Sequence, residues 1–172
     1  MNESLPQLIS RYRQAGLLID TNILLLYFVG RFDSALIPRF KKTQQFVVED
    51  YRTLLVLIRQ FQKIVTTPNI LTEVSNLSGQ LPEQTKEPLR SAYFKKFAEQ
   101  LTVLDEHYLQ SRQVAGDTHF LKLGLTDVAI YQLAKGKYLV LTDDFRLSQI
   151  LTKENVDCIN FNHIRPLGWP TR

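Results

Sequence analysis

The sequence predicts an α/β domain: a central parallel sheet flanked by helices. Three observations lead there. Short apolar runs, such as Leu17-Leu18-Ile19 and Tyr138-Leu139-Val140-Leu141, alternate with longer stretches of helical spacing. These runs are apolar at successive positions, the pattern of strands covered on both faces. Between them lies enough chain for helices, the crossovers that parallel pairing needs. At 172 residues the chain is long enough for one domain around one core, residues 1–172.

Taken in order, Ser4-Leu5-Pro6-Gln7 has the form of a capping box. It opens a short N-terminal helix within residues 1–15, with Leu8, Ile9 and Tyr12 on its apolar side and Gly16 at its end. Leu17-Leu18-Ile19 reads as a buried strand that stops at Asp20, and Asn22 to Val29 suits a helix closed by Gly30. Residues 31–42, with Pro38, read as loop. An inserted segment, 43–64, carries a long helical pattern from Phe46 to Ile64, in which Val47, Tyr51, Leu54, Leu55, Ile58 and Phe61 recur three and four apart. Ile64-Val65-Thr66 is the second strand. Thr67 as N-cap and Pro68 as first helical residue start the next helix and put Glu73 in its second turn.

Residues 77–87 read as loop, Leu89 to Leu101 as helix, and Leu101 to Leu104 as the third strand. Tyr108 to Leu123 is helical with a break near Gly116; Thr126 caps a further helix to Ala134, ended by Gly136. The strand from Tyr138 to Leu141 stops at Thr142-Asp143-Asp144. A helix to Lys153, a last strand over Val156 to Asn160 and a tail from 162 to 172 complete the pattern.

Composition narrows the function classes. Hydrophobic residues make up 44% and charged residues 22%, which excludes a disordered chain. Cys158 stands alone, so an internal disulfide and a zinc site of several thiolates are both excluded. The net charge of +4 suits a nucleic-acid partner without identifying one. The longest apolar stretch, Leu17 to Val29, is interrupted by Asp20-Thr21-Asn22 and is shorter than the roughly 20 residues of a membrane span. The N-terminus lacks the apolar core of a secretory signal, and the expected compartment is a reducing cytoplasm with no membrane partner.

Four acids carry the functional argument. Asp20 and Asp144 follow strands, Glu73 lies early in a helix, and Asp127 stands at a helix start. In parallel sheets, ligands bind beyond the carboxyl ends of the strands, which is where such positions meet. Converging, they form an oxygen-only pocket suited to Mg²⁺ or Mn²⁺, which neutralises their mutual repulsion. A metal so held activates water and orients a phosphodiester. With no nucleophilic Ser or Cys in view, metal-dependent phosphodiester hydrolysis is the expected chemistry.

The same residues carry a resemblance. Leu18-Ile19-Asp20-Thr21-Asn22 resembles the opening motif of PIN-domain nucleases, and Pro68-Asn69-Ile70-Leu71-Thr72-Glu73-Val74 is similar to that family's glutamate helix. Leu125-Thr126-Asp127-Val128-Ala129-Ile130 resembles the third-acid helix. Val140-Leu141-Thr142-Asp143-Asp144-Phe145-Arg146-Leu147 resembles the closing Thr-x-Asp motif. The four appear in the family's order across most of the chain. The resemblance implies a PIN fold, Mg²⁺- or Mn²⁺-dependent cleavage of RNA, and Asp20, Glu73, Asp127 and Asp144 as catalytic acids and metal ligands. Many members are toxins of VapC-type toxin–antitoxin pairs, which makes an antitoxin protein an expected partner. Two features depart from compact toxins: the inserted segment 43–64 and the helix before the first strand.

The family spacing selects Asp144 as fourth acid, leaving Asp143 as a neighbour that points elsewhere or shares a metal. Asn22 and Thr142 are candidate supporting residues; Thr21 is the weaker one. Each acid also has a plainer reading: Asp20 and Asp144 as helix caps, Asp127 as favourable charge at a helix N-terminus, Glu73 as a solvated helix residue. Glu83 and Glu87 are poorer candidates in a loop. His107, His119 and His163 lack ligand spacing and take no catalytic role. The basic clusters, such as Arg39-Phe40-Lys41-Lys42 and Lys135-Gly136-Lys137, read singly as solvated surface. The aromatics of the inserted helix suit a core or a homodimer interface. Two other classes compete: a non-catalytic PIN-like scaffold for RNA or protein, and a haloacid-dehalogenase-like phosphotransfer enzyme. The latter needs a second Asp where Asn22 stands.

Overall fold

The computed structural model describes residues 4–81 and 89–165. The predicted α/β class is the observed one. Five strands form a single all-parallel sheet: β1 (Leu17–Ile19), β2 (Ile64–Thr66), β3 (Leu104–Glu106), β4 (Leu139–Thr142) and β5 (Cys158–Asn160), in the order β3-β2-β1-β4-β5. Helices fill the connections: α1 (Leu5–Tyr12), α2 (Thr21–Asp33), α3 (Val48–Ile58), α4 (Pro68–Ser78), α5 (Leu89–Leu101), α6 (Ser111–Ala115), α7 (Phe120–Ala134), α8 (Phe145–Lys153) and α9 (Phe161–Ile164), with a 3₁₀ turn at Ser34–Leu36.

The strand order places the functional edge. From β1 the chain first builds β2 and β3 on one side, then returns to lay β4 and β5 on the other. The crevice between β1 and β4 is therefore the point where the winding reverses, and ligands of open parallel sheets bind at such a point. Register brings Leu17, Leu18 and Ile19 opposite Leu139, Val140 and Leu141. One residue further on, Asp20 donates its N–H to the Leu141 carbonyl at 2.9 Å, which sets Asp20 beside Thr142.

The core explains why these segments fold as they do. Leu17, Leu18 and Ile19 are fully buried, as a central strand covered on both faces must be. In α2 every residue from Ile23 to Gly30 is buried, so this helix runs through the core, and its lack of an amphipathic stripe follows. On α5, Phe97 stacks on Phe28 of α2 at 4.5 Å and Tyr93 shares a buried hydrogen bond with Ser78.

Several boundaries differ from the sequence reading. Gly30 lies inside α2 instead of ending it: a Cβ there would meet the Tyr51 ring at 2.4 Å, so glycine serves the close approach of α3. The inserted helix is shorter than the pattern over Phe46 to Ile64. It begins at Val48, where the Asp50 carboxylate accepts the Val47 N–H, and turns at Arg59, after which Phe61 enters the core. Residues 43–47 form turns, with Phe46 fully buried. β3 starts at Leu104, three residues later than read, because α5 ends at Leu101 as read and a turn over 102–103 follows it. α7 begins at Phe120 and kinks at Gly124, whose φ of +77° breaks the helix. The tail assigned to 162–172 starts with α9, and residues 166–172 lie outside the described residues, as do 1–3 of the N-terminal segment and Glu83 and Glu87. No helix among the described residues is long and apolar enough to cross a membrane.

Candidate carboxylate site

Asp20 is the N-cap of α2 and the deepest of the acids, only 6% exposed. Both its oxygens accept hydrogen bonds: one from the Thr21 backbone N–H at 2.6 Å, the other from the Thr142 hydroxyl at 2.5 Å. Burial pushes its carboxyl up to about 6, with the charges of Asp143 and Asp144 acting in the same sense and the two hydrogen bonds opposing it.

Glu73 reaches the same edge from α4. Its oxygens accept from the Thr21 hydroxyl at 2.9 Å and the Thr126 hydroxyl at 2.5 Å. Thr126, expected to cap a helix, is thus turned to Glu73. The Pro68 and Thr67 start of α4 is as read, the Thr67 hydroxyl accepting the Ile70 N–H.

Asp127, the next residue of the kinked α7, has no hydrogen bond to its carboxylate among the described residues. Burial, then Asp20, Asp144 and Glu73, push its carboxyl up to about 7; Arg146 alone opposes them. Asp144 caps α8, one oxygen accepting from the backbone N–H groups of Arg146 and Leu147 at 2.7 and 3.0 Å. Its own N–H donates to the Thr142 hydroxyl at 3.0 Å. Capping and membership of the acid group therefore coexist in Asp20 and Asp144.

Asp143, whose charge also acts on Asp20, is tied to neighbouring segments. Its oxygens accept from the Asn22 amide at 3.3 Å and the Gln45 amide at 3.1 Å, and its carbonyl accepts from Asn162 at 2.8 Å. Burial raises its carboxyl, and the Asn22 hydrogen bond lowers it. Arg165 fixes this wall: it forks onto both oxygens of buried Asp50 at 3.0 and 2.8 Å and donates to the Gln45 carbonyl and the Asn162 side chain. The inserted segment thereby braces the acid next to the site.

Among the described residues, no group of three or more His, Cys, Asp or Glu side chains forms a ready metal cage. Both oxygens of Asp20 and both of Glu73 accept from threonine hydroxyls and a backbone N–H. The side chains of His107 and His119 engage other partners, Asp105 and Tyr138 for the first, Asp117 and Glu154 for the second.

Sequence reasoning missed Thr126, Gln45, Asn162 and Arg146, and undervalued Thr21. The Thr21 hydroxyl had a signal, since a threonine one turn-step after a strand-end acid can face the same edge. Gln45 and Asn162 had none, being set by tertiary contacts. No protein-family model matches the chain, and neither curated proteins nor solved structures give a significant match.

Proposed function

We propose that this chain is a divalent-metal-dependent endoribonuclease of the PIN type. One observation supports the reading: the charges of Asp20, Asp144 and Glu73 all raise the Asp127 carboxyl, which has no hydrogen bond of its own among the described residues. Repelling carboxylates gathered at a ligand-binding edge are an expense to the fold unless a cation neutralises them. The donors are all oxygen, which fits Mg²⁺ or Mn²⁺.

Asp127 and Asp144, which keep oxygens outside the hydroxyl network, would hold the cation together with Asp20, and Glu73 would complete the group. A cation bound there lowers the pKa of water and offsets charge on the phosphodiester. Thr142 and the Thr21 N–H fix the Asp20 carboxylate; Thr21 and Thr126 fix Glu73. Asp143, braced by Asn22 and Gln45, sets the wall and is a poorer ligand. The phosphotransfer alternative loses further ground, because the Asn22 amide is spent on Asp143. The PIN resemblance extends the proposal to a toxin role, with an antitoxin and a second copy of the chain as partners.

The test is RNA cleavage by the parent chain and by Asp20→Asn, with melting temperatures for both. Mg²⁺ or Mn²⁺ supports cleavage and EDTA stops it. Asp20→Asn lowers the rate by about two orders of magnitude or more while the metal-free melting temperature holds level. Full activity in EDTA, or unimpaired cleavage by Asp20→Asn at saturating Mg²⁺, overturns the reading. As a toxin, Asp20→Asn also expresses freely in cells that the parent harms.

A further inference from the structure

Beside the acids, a cavity of about 350 Å³ opens between the start of α4 and the segment linking β3 to α6. That volume lies within the roughly 300–1,000 Å³ of small-ligand pockets. Glu73 and Thr126 belong to its wall, so cavity and acid group share a boundary. Leu109 and Leu125 make it apolar; Asn69, Thr72 and Ser111 add an amide and two hydroxyls.

Tyr108 also lines it, and Tyr108 is unlike the other tyrosines of the core. Tyr27, Tyr51, Tyr93, Tyr131 and Tyr138 are all buried, whereas Tyr108 is 74% exposed. It makes no ring contact with another aromatic and no side-chain hydrogen bond among the described residues. An aromatic face left in water at a cavity mouth contributes little to folding, and its surface is available to a flat ligand.

We infer that this cavity is a nucleobase subsite, in which a base next to the phosphodiester at the acids stacks on Tyr108 and hydrogen-bonds to Asn69, Thr72 and Ser111. The inference rests on the nuclease reading and deepens it by naming a single-stranded RNA as substrate. Stacking on an exposed aromatic, with polar groups at the base edge, is how proteins take up unpaired bases; a paired base has neither its faces nor its edge free. A phosphate is a poor occupant, because Glu73 stands in the wall and, among the described residues, no Lys or Arg lines the cavity.

The test uses the Asp20→Asn chain, so that binding is read without cleavage. Two fluorescein-labelled single-stranded probes of equal length are compared by polarisation: a mixed-sequence oligoribonucleotide and its abasic ribose–phosphate counterpart. Adding Tyr108→Ala weakens binding of the base-bearing probe by about tenfold or more and leaves the abasic probe unchanged. Tyr108→Phe retains affinity, since it keeps the ring face. Equal losses on both probes, no loss on either, or no measurable binding of the base-bearing probe overturn the subsite. Cleavage by the parent chain judges the nuclease reading separately. A base-dependent Tyr108 effect without cleavage supports the subsite and removes the nuclease, and cleavage without that effect does the reverse.

Discussion

Asp20 and Asp127 are both carboxyls that burial raises, yet the fold treats them differently. Asp20 is the more buried, but its carboxyl is pushed up only to about 6, against about 7 for Asp127. Depth therefore does not rank them. The first residue of α2 gives Asp20 a backbone N–H and the end of β4 gives it the Thr142 hydroxyl, both of which favour its ionised form. Asp127 has no donor among the described residues; Asp20, Asp144 and Glu73 from other elements raise it and Arg146 lowers it. Burial raises both carboxyls first; at Asp20 two donors oppose it, and at Asp127 neighbouring carboxylates add to it. Asp20 has both oxygens hydrogen-bonded, whereas Asp127 has no such donor among the described residues.

Asp127→Asn tests that contrast most strongly. Both carboxyls sit above the ordinary carboxylate value of 3.8, so the folded chain holds protons that the unfolded chain has released. Their stabilising contribution is complete below about pH 4 and is lost as pH rises through about 6 and 7. In EDTA the melting temperature falls between pH 5 and pH 8. Asp105 and Asp117, whose carboxyls are held low by hydrogen bonds first, act in the opposite sense at the acid end and do not mask this window. Asp127→Asn flattens the fall and raises the melting temperature at pH 8, by about 2–4 °C per kcal/mol of repulsion removed. Saturating Mg²⁺ raises the parent at pH 8 and has little effect at pH 5, where Asp127 is protonated. A lower melting temperature for Asp127→Asn at pH 8 contradicts the contrast.

Thr142→Val moves the comparison from the other side. It removes the hydroxyl that donates to buried Asp20 and accepts from the Asp144 N–H, the first bond buried and the second partly so. The expected cost is about 1–3 kcal/mol, for groups left without partners. The part owed to Asp20 depends on its charge, so the deficit in melting temperature grows from pH 5 to pH 8. A deficit that stays level across that range means that Thr142 matters only to the backbone of Asp144.

How much of this could be read beforehand follows the range of the interactions. Strands β1, β2 and β4, the caps at Thr67 and Asp144 and the helix carrying Glu73 are local in cause, so apolar runs and cap residues announce them. The convergence of Asp20 with Thr142 was inferable from two strand ends in a parallel sheet. Other features depend on contacts far apart in sequence. Gly30 read as a helix end because the Tyr51 ring that requires it lies on α3. The inserted helix read too long because Phe46 and Phe61 continue its spacing while serving the core from turns. The bracing of Asp143 by Gln45, Asn22 and Arg165's clasp on Asp50 joins three distant segments, which periodicity does not register.

The smallest effect is expected at Arg146, and it separates charge at the site from the fold around it. Arg146 is exposed, and its guanidinium lowers the Asp127 carboxyl slightly against three charges that raise it. Its backbone N–H, not its side chain, serves the Asp144 cap. Arg146→Gln therefore leaves the melting temperature within about 2 °C, as for surface substitutions away from buried networks. It moves the pH window in which the metal-free chain loses stability slightly upward, in the direction opposite to relief at Asp127. If the phosphodiester lies against the acids, the same guanidinium is placed to offset their repulsion of phosphate. Arg146→Gln then weakens RNA binding by the Asp20→Asn chain across sequences, and the slope of log affinity against log salt falls by about 1, the signature of one lost phosphate contact. An unchanged slope removes Arg146 from the substrate path. A large loss of melting temperature instead assigns its side chain to the fold, and the contrast between Asp20 and Asp127 then needs another cation.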